Sequence, residues 1–313
     1  MNWLENVTIS SSVQVVDEYA FYDCDALKTI VLGDNVTHIK EYAFYDCDRL
    51  GSITINNAVK YIGYNTFADC DVLTKPNYKG DVANWCNIYF DGSSANPISV
   101  AHKWYINDVE VRDVVIPEGV DTIGEFAFSG YIWMNSVTIP STVNHIGWGA
   151  FLNCKSLKEI TIPNSVISIG SYAFDECSSL SSVTWNANNY VGSNPFADIR
   201  TQIKTLVIGE AINEIPAAFC SGMTKLTSLT ISDNVVKIGD GAFRKCDVLK
   251  MLTLPSSIKH IGNYAFDGCK ALSTLVIPEG VESVGEGAFA SCSSIVRFTL
   301  PNSIRTLGGA AFK

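Results

Sequence analysis

Apolar residues recur along the chain in a unit of about 23 residues, seen most clearly in the segment 157–180, LKEITIPNSVISIGSYAFDECSSL. Ile160 and Ile162 are separated by one residue, and this alternation places both side chains on the same face of a β-strand. A second apolar pair, V-x-x-I, follows, and a glycine then leads into a segment that contains Phe174. We expect each unit to form one coil with two strand segments and a short helical or 3-10 segment around the phenylalanine.

The phenylalanine marks the unit along the chain, at Phe21, Phe44, Phe67, Phe128, Phe151, Phe174, Phe196, Phe219, Phe243, Phe266, Phe289 and Phe312. Most intervals are 23 residues, but 61 residues separate Phe67 from Phe128. One coil cannot bury its own apolar side, whereas stacked coils bury a continuous column of Leu, Ile, Val and Phe. The pattern therefore predicts a single β-rich α/β domain over residues 1–313, a right-handed solenoid of about twelve coils with parallel sheet.

The residue between the two inward strand positions is expected to point to solvent. It is β-branched in every regular coil, as Thr8, Val31, Thr54, Val115, Thr138, Thr161, Thr184, Val207, Thr230, Thr253, Val276 and Thr299. Branched side chains suit a pleated sheet surface, which explains the restriction. We take Thr138, Thr161 and Thr184 from this outward row as candidate partner-contact residues.

The period fails in two places. The long interval between Phe67 and Phe128 predicts one enlarged, atypical coil at about residues 76–113, which is too short to sustain a core of its own. Its Trp85 and Trp104 are therefore expected to fold back onto the solenoid. Intervals of 22 residues before Phe196 and 24 after Phe219 predict a second irregular stretch at 185–226, where single residues are deleted and inserted.

Three large apolar side chains fall at positions that are polar in other coils. Ile132 and Trp133 stand where another coil has Lys155 and Ser156, and Trp148 takes a position held elsewhere by Glu or Ser. Exposed apolar residues of this kind indicate a binding patch. The alternative for Ile132 and Trp133, which we favour, is that the enlarged coil covers them.

Composition and motifs exclude several classes of function. The net charge of -10 with 22 Lys and Arg argues against nucleic-acid binding. No apolar run approaches the roughly 20 residues that span a bilayer, and the N-terminus does not resemble a signal peptide. No nucleotide, zinc or other cofactor motif is present, so no cofactor is expected. We do not expect an enzyme; an active site in the enlarged coil would need His102, Asp91 and Cys86 in one pocket.

Eight of the ten cysteines occupy one position of the unit, three residues after the phenylalanine: Cys24, Cys47, Cys70, Cys154, Cys177, Cys246, Cys269 and Cys292. One thiol per coil forms a ladder, which suits neither a tetrahedral metal site nor disulfides. We expect buried thiols that act as small apolar side chains.

The first three coils also contain two columns of carboxylates, Asp23, Asp46 and Asp69 before the cysteine and Asp25, Asp48 and Asp71 after it. A solvated acidic ridge is the favoured interpretation because no glycine-rich calcium loop accompanies these aspartates. A calcium site is the alternative.

The unit T-I-P-x-S-V-x-x-I-G-x-x-A-F-x-x-C-x-x-L resembles the BspA-like leucine-rich repeats of bacterial surface proteins, and the resemblance covers nearly the whole chain. It implies a monomeric adhesion protein, secreted or at the cell surface, that binds a protein or glycoprotein of host or neighbouring cells. An intracellular repeat scaffold is the alternative. The chain begins and ends within a unit, so we expect it to be part of a longer protein. The resemblance transfers no functional residue. The candidate contacts are therefore Ile132, Trp133 and Trp148 with the three outward threonines.

Overall fold

The computed structural model describes residues 3–192 and 194–313. Short parallel strands stack as a solenoid of about 13 turns, close to the predicted twelve. Internal contacts divide the chain into two compact units. Unit 1 consists of the chain up to Leu157 together with Ser168–Ser178, and unit 2 of Lys158–Ile167 together with Ser179–Lys313. A single domain over residues 1–313 stays a prediction.

Each turn of unit 1 contributes a strand to two ladders. The first ladder contains β1 (Asn6–Thr8), β3 (Thr29–Val31), β5 (Ser52–Asn56), β7 (Lys75–Lys79), β9 (Tyr105–Ile106) and β10 (Val109–Glu110), and then, as a separate pair, β11 (Asp113–Val115) and β13 (Ser136–Thr138). The second contains β2 (Val15–Val16), β4 (His38–Ile39), β6 (Tyr61–Ile62) and β8 (Tyr89–Phe90), and then β12 (Thr122–Ile123), β14 (His145–Ile146) and β16 (Ser168–Ile169).

Unit 2 has the same two ladders. The first contains β15 (Glu159–Ile162), β17 (Ser182–Trp185), β18 (Thr205–Ile208) and β20 (Ser228–Ile231), and then β22 (Met251–Thr253) and β24 (Thr274–Val276). The second contains β19 (Glu214–Ile215), β21 (Lys237–Ile238), β23 (His260–Ile261), β25 (Ser283–Val284) and β26 (Thr306–Leu307).

The alternation within each strand follows the prediction. In β15, Ile160 and Ile162 are buried while Thr161 between them is exposed. Phenylalanines form the centre of the core in both units, and the rings of successive turns stack. Phe151 lies between Phe128 and Phe174, with ring centroids 5.5 and 5.6 Å away. Stacking thus supplies the burial that one turn cannot provide alone.

The predicted helical segment around each phenylalanine is absent from the regular turns that the structure describes. Instead, residues two positions before and two positions after the ring adopt left-handed backbone conformations, such as Tyr172 (φ 58°) and Glu176 (φ 56°). Alternate backbone N–H groups of this corner bond to the next turn, as Phe151 N–H donates to the Ala173 carbonyl at 2.9 Å. The N–H groups between them close tight turns within the corner, as Leu152 N–H donates to the Gly149 carbonyl at 3.0 Å. The three helices found among the described residues are all in the enlarged repeat: α1 (Val82–Cys86), the 3-10 helix η1 (Ser93–Ala95) and α2 (Pro97–Ala101).

The glycine before the corner is required by close approach of two turns. A Cβ atom on Gly147 would lie 2.5 Å from the backbone nitrogen of Glu125 in the preceding turn. Its backbone conformation is accessible to any residue, since its φ is not positive. Close contact between turns, not conformational freedom, is therefore the reason for this glycine.

The enlarged repeat begins later than predicted. Strand β7 keeps the regular register, because Ile53 faces Pro76 across the ladder. The departure starts after Lys79: Asn77 faces Tyr105 and Tyr61 faces Tyr89, each pair 28 residues apart. The first ladder then ends in the antiparallel hairpin of β9 and β10, and a new pair of strands starts at β11.

The two tryptophans of the enlarged repeat pack into the core, as predicted. Trp85 and Trp104 are buried, and their ring centroids lie 5.0 Å apart. Trp104 contacts Phe128 at 5.7 Å, and the Trp85 indole N–H donates to the Ala127 carbonyl at 2.7 Å. The repeat is thereby fixed to the regular turn that follows it. None of the helices in the described ranges is long and apolar enough to cross a membrane.

The strand register does not change over the predicted irregular stretch at 185–226, which stays a prediction. Across β15, β17, β18 and β20 the strands keep an unbroken period of 23, since Ile160 faces Val183, Val183 faces Leu206 and Leu206 faces Leu229. In the turn that contains Phe219, the phenylalanine has moved by one position relative to the backbone hydrogen bonds. Cys220 N–H donates to the Ala242 carbonyl, the bond that Phe243 N–H makes to Ala265 one turn later. Cys220 therefore holds the phenylalanine position, and Phe219 the alanine position.

Trp185 explains this exchange. It is buried at the inward end of β17, and its ring contacts Phe219 with centroids 4.9 Å apart. Since the indole fills space that the regular column leaves to smaller residues, the phenylalanine ring enters from the neighbouring position.

Candidate interaction surface

The predicted site residue Trp148 contacts two other aromatic rings at the corner that follows the second ladder of unit 1. We call Phe126, Trp148 and Tyr172 the aromatic corner. The Trp148 ring lies between the other two, with centroids 4.8 Å from Phe126 and 5.0 Å from Tyr172. Trp148 is 37% exposed and Tyr172 is 50% exposed.

Backbone bonds hold the three rings of the aromatic corner in place. Phe126 N–H donates to the Trp148 carbonyl at 2.9 Å, and Gly149 N–H donates to Ser171 at 3.1 Å. A Cβ atom on Gly149 would lie 3.1 Å from the Phe126 ring, so the glycine leaves room for that ring. The corner is therefore a rigid aromatic surface in contact with water, a composition typical of protein-binding sites.

Sequence reasoning identified Trp148 but missed Phe126 and Tyr172. Both lie two residues before the core phenylalanine of their turn, where the backbone is left-handed. Trp148 lies three residues before the core phenylalanine of its own turn. Side chains in adjacent positions of neighbouring turns converge here. An alignment of the units that compared neighbouring positions, rather than one position at a time, would have found them.

The enlarged repeat does not cover Trp133, contrary to the favoured interpretation. The indole is 46% exposed, and Ile132 beside it is half-buried. The Arg112 guanidinium of the enlarged repeat lies over the ring, 5.8 Å from the ring centroid. Arg112 also pairs with Glu110 at 2.9 Å. Trp133 is thus a second exposed aromatic group, capped by a cation.

The outward threonines differ in accessibility. Thr138 and Thr161 are exposed, whereas Thr184 is half-buried. Thr161 faces Thr184 across β15 and β17 within unit 2, while Thr138 belongs to β13 of unit 1. These positions offer hydroxyl and methyl groups on a flat strand surface. Nothing in their geometry distinguishes them from the other members of the row.

All ten cysteines are free and buried. The thiols do more than fill space, because in seven turns the Sγ–H donates to a backbone carbonyl of the preceding turn, as from Cys154 to Phe128 at 3.2 Å. Burial is the main cause that raises the pKa of the Cys154 thiol. A protonated, buried thiol is a poor nucleophile and a poor metal ligand.

The first aspartate column has a backbone explanation. Asp23, Asp46 and Asp69 adopt left-handed conformations with φ of 54°, 55° and 60°. Aspartate and asparagine tolerate this region better than most residues, and Asn153 and Gly268 hold the same position in other turns. In the part of the chain that the structure describes, no group of three His, Cys, Asp or Glu side chains is arranged to hold a metal ion.

The alternative active site is not supported by its residues. Burial raises the pKa of the Cys86 thiol to about 12, and the His102 ring contacts the Gly130 carbonyl at 3.1 Å. Elsewhere His145 and His260 lie on exposed strands and contact serine hydroxyls, Ser168 at 2.6 Å and Ser283 at 2.9 Å. Among the described hydrogen bonds, no carboxylate orients either ring, as a nucleophilic serine would require.

The stacked parallel strands, the apolar columns and the 23-residue register define a leucine-rich-repeat solenoid. The family model for the BspA type leucine rich repeat region matches the chain in six copies over residues 1–96, 98–222 and 213–313. The chain therefore belongs to this family, as its motif predicted. Leucine-rich repeats of this kind are a scaffold type for protein interaction.

Several solved structures are similar to this chain. A leucine-rich repeat protein from Bacteroides ovatus is 22% identical with a TM-score of 0.54, and the match covers 97% of this chain and 92% of that one. A leucine rich cell surface protein from Faecalibacterium prausnitzii is 26% identical with a TM-score of 0.45, covering 98% and 88%. No curated protein sequence matches the chain.

Proposed function

We propose that this chain is the adhesion module of a bacterial cell-surface or secreted protein, without catalytic activity. In this role it binds a protein or glycoprotein of host or neighbouring cells through its solenoid surface. The family supports the interaction role, and the name of the Faecalibacterium prausnitzii relative supports the surface location. The single observation on which the binding site rests is the aromatic corner, where Trp148 is fixed between two rings and still 37% exposed.

Exposed, rigid aromatic rings are the side chains that contribute most to binding at protein interfaces. A ring that is already held in place loses little conformational freedom on binding, so more of the contact energy appears as affinity. Trp133 with Arg112 offers the same combination of an aromatic and a cationic group. The outward threonines Thr138, Thr161 and Thr184 belong to the proposed contact set as polar surface around these anchors.

A binding screen with matched variants tests this proposal. The chain is presented to purified mammalian matrix proteins and to surface proteins of other bacteria, and binding is measured by surface plasmon resonance. Trp148→Ser should leave the fold intact, because Ser171 holds the same position in the next turn. Trp133→Ser is equivalent, since Ser156 holds that position.

We expect Trp148→Ser to weaken a specific interaction about tenfold or more, the effect of removing an interface anchor. The control is Met251→Thr, which removes an exposed apolar side chain from unit 2 where Thr274 holds the equivalent position. Binding that is unchanged in both tryptophan variants would refute the proposed site. Antibody labelling of intact cells distinguishes a surface protein from the alternative, an intracellular scaffold, in which only lysed cells are labelled.

A further inference from the structure

The first three turns of unit 1 present a second aromatic surface, which we call the tyrosine face. It consists of Tyr19, Tyr22, Tyr42, Tyr45 and Tyr64, three of them exposed and two half-buried. All five lie on the corner that surrounds the core phenylalanine, so they share one side of the unit. No described residue outside these turns packs its ring on theirs.

The rings form a continuous array. Tyr19 stacks on Tyr42 and Tyr22 on Tyr45, with centroids 5.3 and 5.2 Å apart and ring planes within 8° of parallel. Between the two rows, Tyr19 meets Tyr22 edge-on at 5.6 Å. Parallel rings at this separation are offset from one another, so part of each ring face stays open to solvent.

Carboxylates surround this array. The six aspartates of the two columns lie in the same corners, with Glu18 and Glu41 beside the first tyrosine row. Arg49 lines a shallow depression with Asp25 and Asp48, and Lys40 pairs with Asp17 at 2.9 Å. None of the ion pairs between described residues involves any of the six column aspartates.

The carboxylates also affect one another. Burial, followed by the charges of Asp48 and Asp23, raises the pKa of Asp46. Burial and the charge of Asp23 likewise raise the pKa of Asp25. A cation placed among these groups would be attracted by several of them at once and would relieve their mutual repulsion.

We propose that the tyrosine face docks an extended peptide segment rich in arginine or lysine. The rings and the carboxylates together select this partner, because a guanidinium group stacks on tyrosine while its N–H groups donate to carboxylates. An extended peptide presents every second side chain on one side, about 6.6 Å apart. This repeat is longer than the 5.2–5.6 Å between neighbouring rings, and the long, flexible side chains of arginine and lysine accommodate the difference. The charges exclude an acidic segment.

This surface is separate from the aromatic corner in its residues and in the chemistry of its partner. It extends the proposed function, and its test is independent of the test of the aromatic corner. The probe is a fluorescent synthetic peptide of alternating arginine and serine, with a peptide of alternating glutamate and serine as its counterpart. Fluorescence anisotropy of the whole chain with each peptide gives the affinity at low and at high salt.

Three double variants separate the contributions of the rings and the charges. Tyr22→Leu with Tyr45→Leu removes two ring faces but keeps apolar contact, while Tyr22→Phe with Tyr45→Phe keeps the faces. Asp46→Asn with Asp69→Asn removes two charges and suits the left-handed backbone. Tyr264→Leu is the control, because Tyr264 holds the corner position of Tyr19 and Tyr42 in unit 2.

We expect the arginine peptide to bind and the glutamate peptide not to bind. The Leu pair should weaken binding about five- to twentyfold, the Asn pair should weaken it and reduce its salt dependence, and the Phe pair and Tyr264→Leu should leave it unchanged. Equal affinity for both peptides would overturn the proposal. It would also be overturned if the Leu pair had no effect, since the carboxylates would then attract the peptide without the tyrosines, or if the Phe pair weakened binding as much as the Leu pair.

Discussion

Replacing Phe151 with alanine tests the stacked core most directly. The ring is fully buried between those of Phe128 and Phe174. The neighbouring turns cannot close over the space that it leaves, because Phe128 N–H bonds to the Ala150 carbonyl and Phe151 N–H to Ala173. These bonds fix the distance between the turns on both sides of the cavity.

The expected cost follows from this rigidity. Removal of a buried phenylalanine costs about 3–5 kcal/mol, and the cost rises with the volume of the cavity that remains. Two stacked aromatic pairs are lost as well. We therefore expect Phe151→Ala to lower the free energy of unfolding by about 4–5 kcal/mol. The same change at Tyr172, half exposed at the next corner, should cost under about 1 kcal/mol.

Urea unfolding followed by circular dichroism measures the difference in stability. A repeat protein can unfold in parts, so hydrogen exchange is needed alongside it. Exchange should accelerate most at the amides of Phe128 and Phe151, and less with distance along the chain. A loss below about 2 kcal/mol, or exchange that accelerates uniformly, would refute the reasoning that this ring supports its own turn and its two neighbours.

Further predictions concern the thiols, the turn contacts, the hairpin and the acidic columns. The ten buried thiols should resist a thiol reagent at mildly alkaline pH, because burial raises the pKa of Cys154 and Cys220, and all should react in denaturant; fast reaction of the native protein would contradict this. Gly147→Ala should cost about 1–3 kcal/mol in urea unfolding through the contact with Glu125, and an unchanged midpoint would contradict it. Hydrogen bonds from Lys79 and Lys75 lower the pKa of Asp108 to about 2, so its stabilising contribution is complete above the unfolded pKa of about 4 and is lost as pH falls towards 2. The melting temperature should therefore fall less between these pH values in Asp108→Asn than in the unaltered protein. Millimolar Ca²⁺ should leave the melting temperature unchanged, and a rise would restore the cation site as a possibility.

The repeat was predictable from sequence because each apolar position follows from a simple spacing rule. The alternation in β15 and the burial of Trp85 and Trp104 needed no knowledge of the neighbouring turns. The corner was not predictable in this way. Gly170 and the residues after it suggested a helix, but every second N–H group of a regular corner has its acceptor in the next turn, an arrangement that depends on stacking. Local pattern does not contain that information.

The stretch at 185–226 shows why a single marker residue is an insufficient guide to register. Counting from phenylalanine to phenylalanine gave a deletion and an insertion, although the strands keep a period of 23 residues. In a solenoid the backbone register is fixed by inter-turn hydrogen bonds, which are the same for every residue type. A side chain can therefore move by one position when a neighbour such as Trp185 takes its space. The test is Phe219→Ala combined with Cys220→Phe, which restores the regular order of the unit. We expect the combination to destabilise the chain, because the ring at position 220 would lose its contact with Trp185, whereas a true insertion at this point would make the combination stabilising.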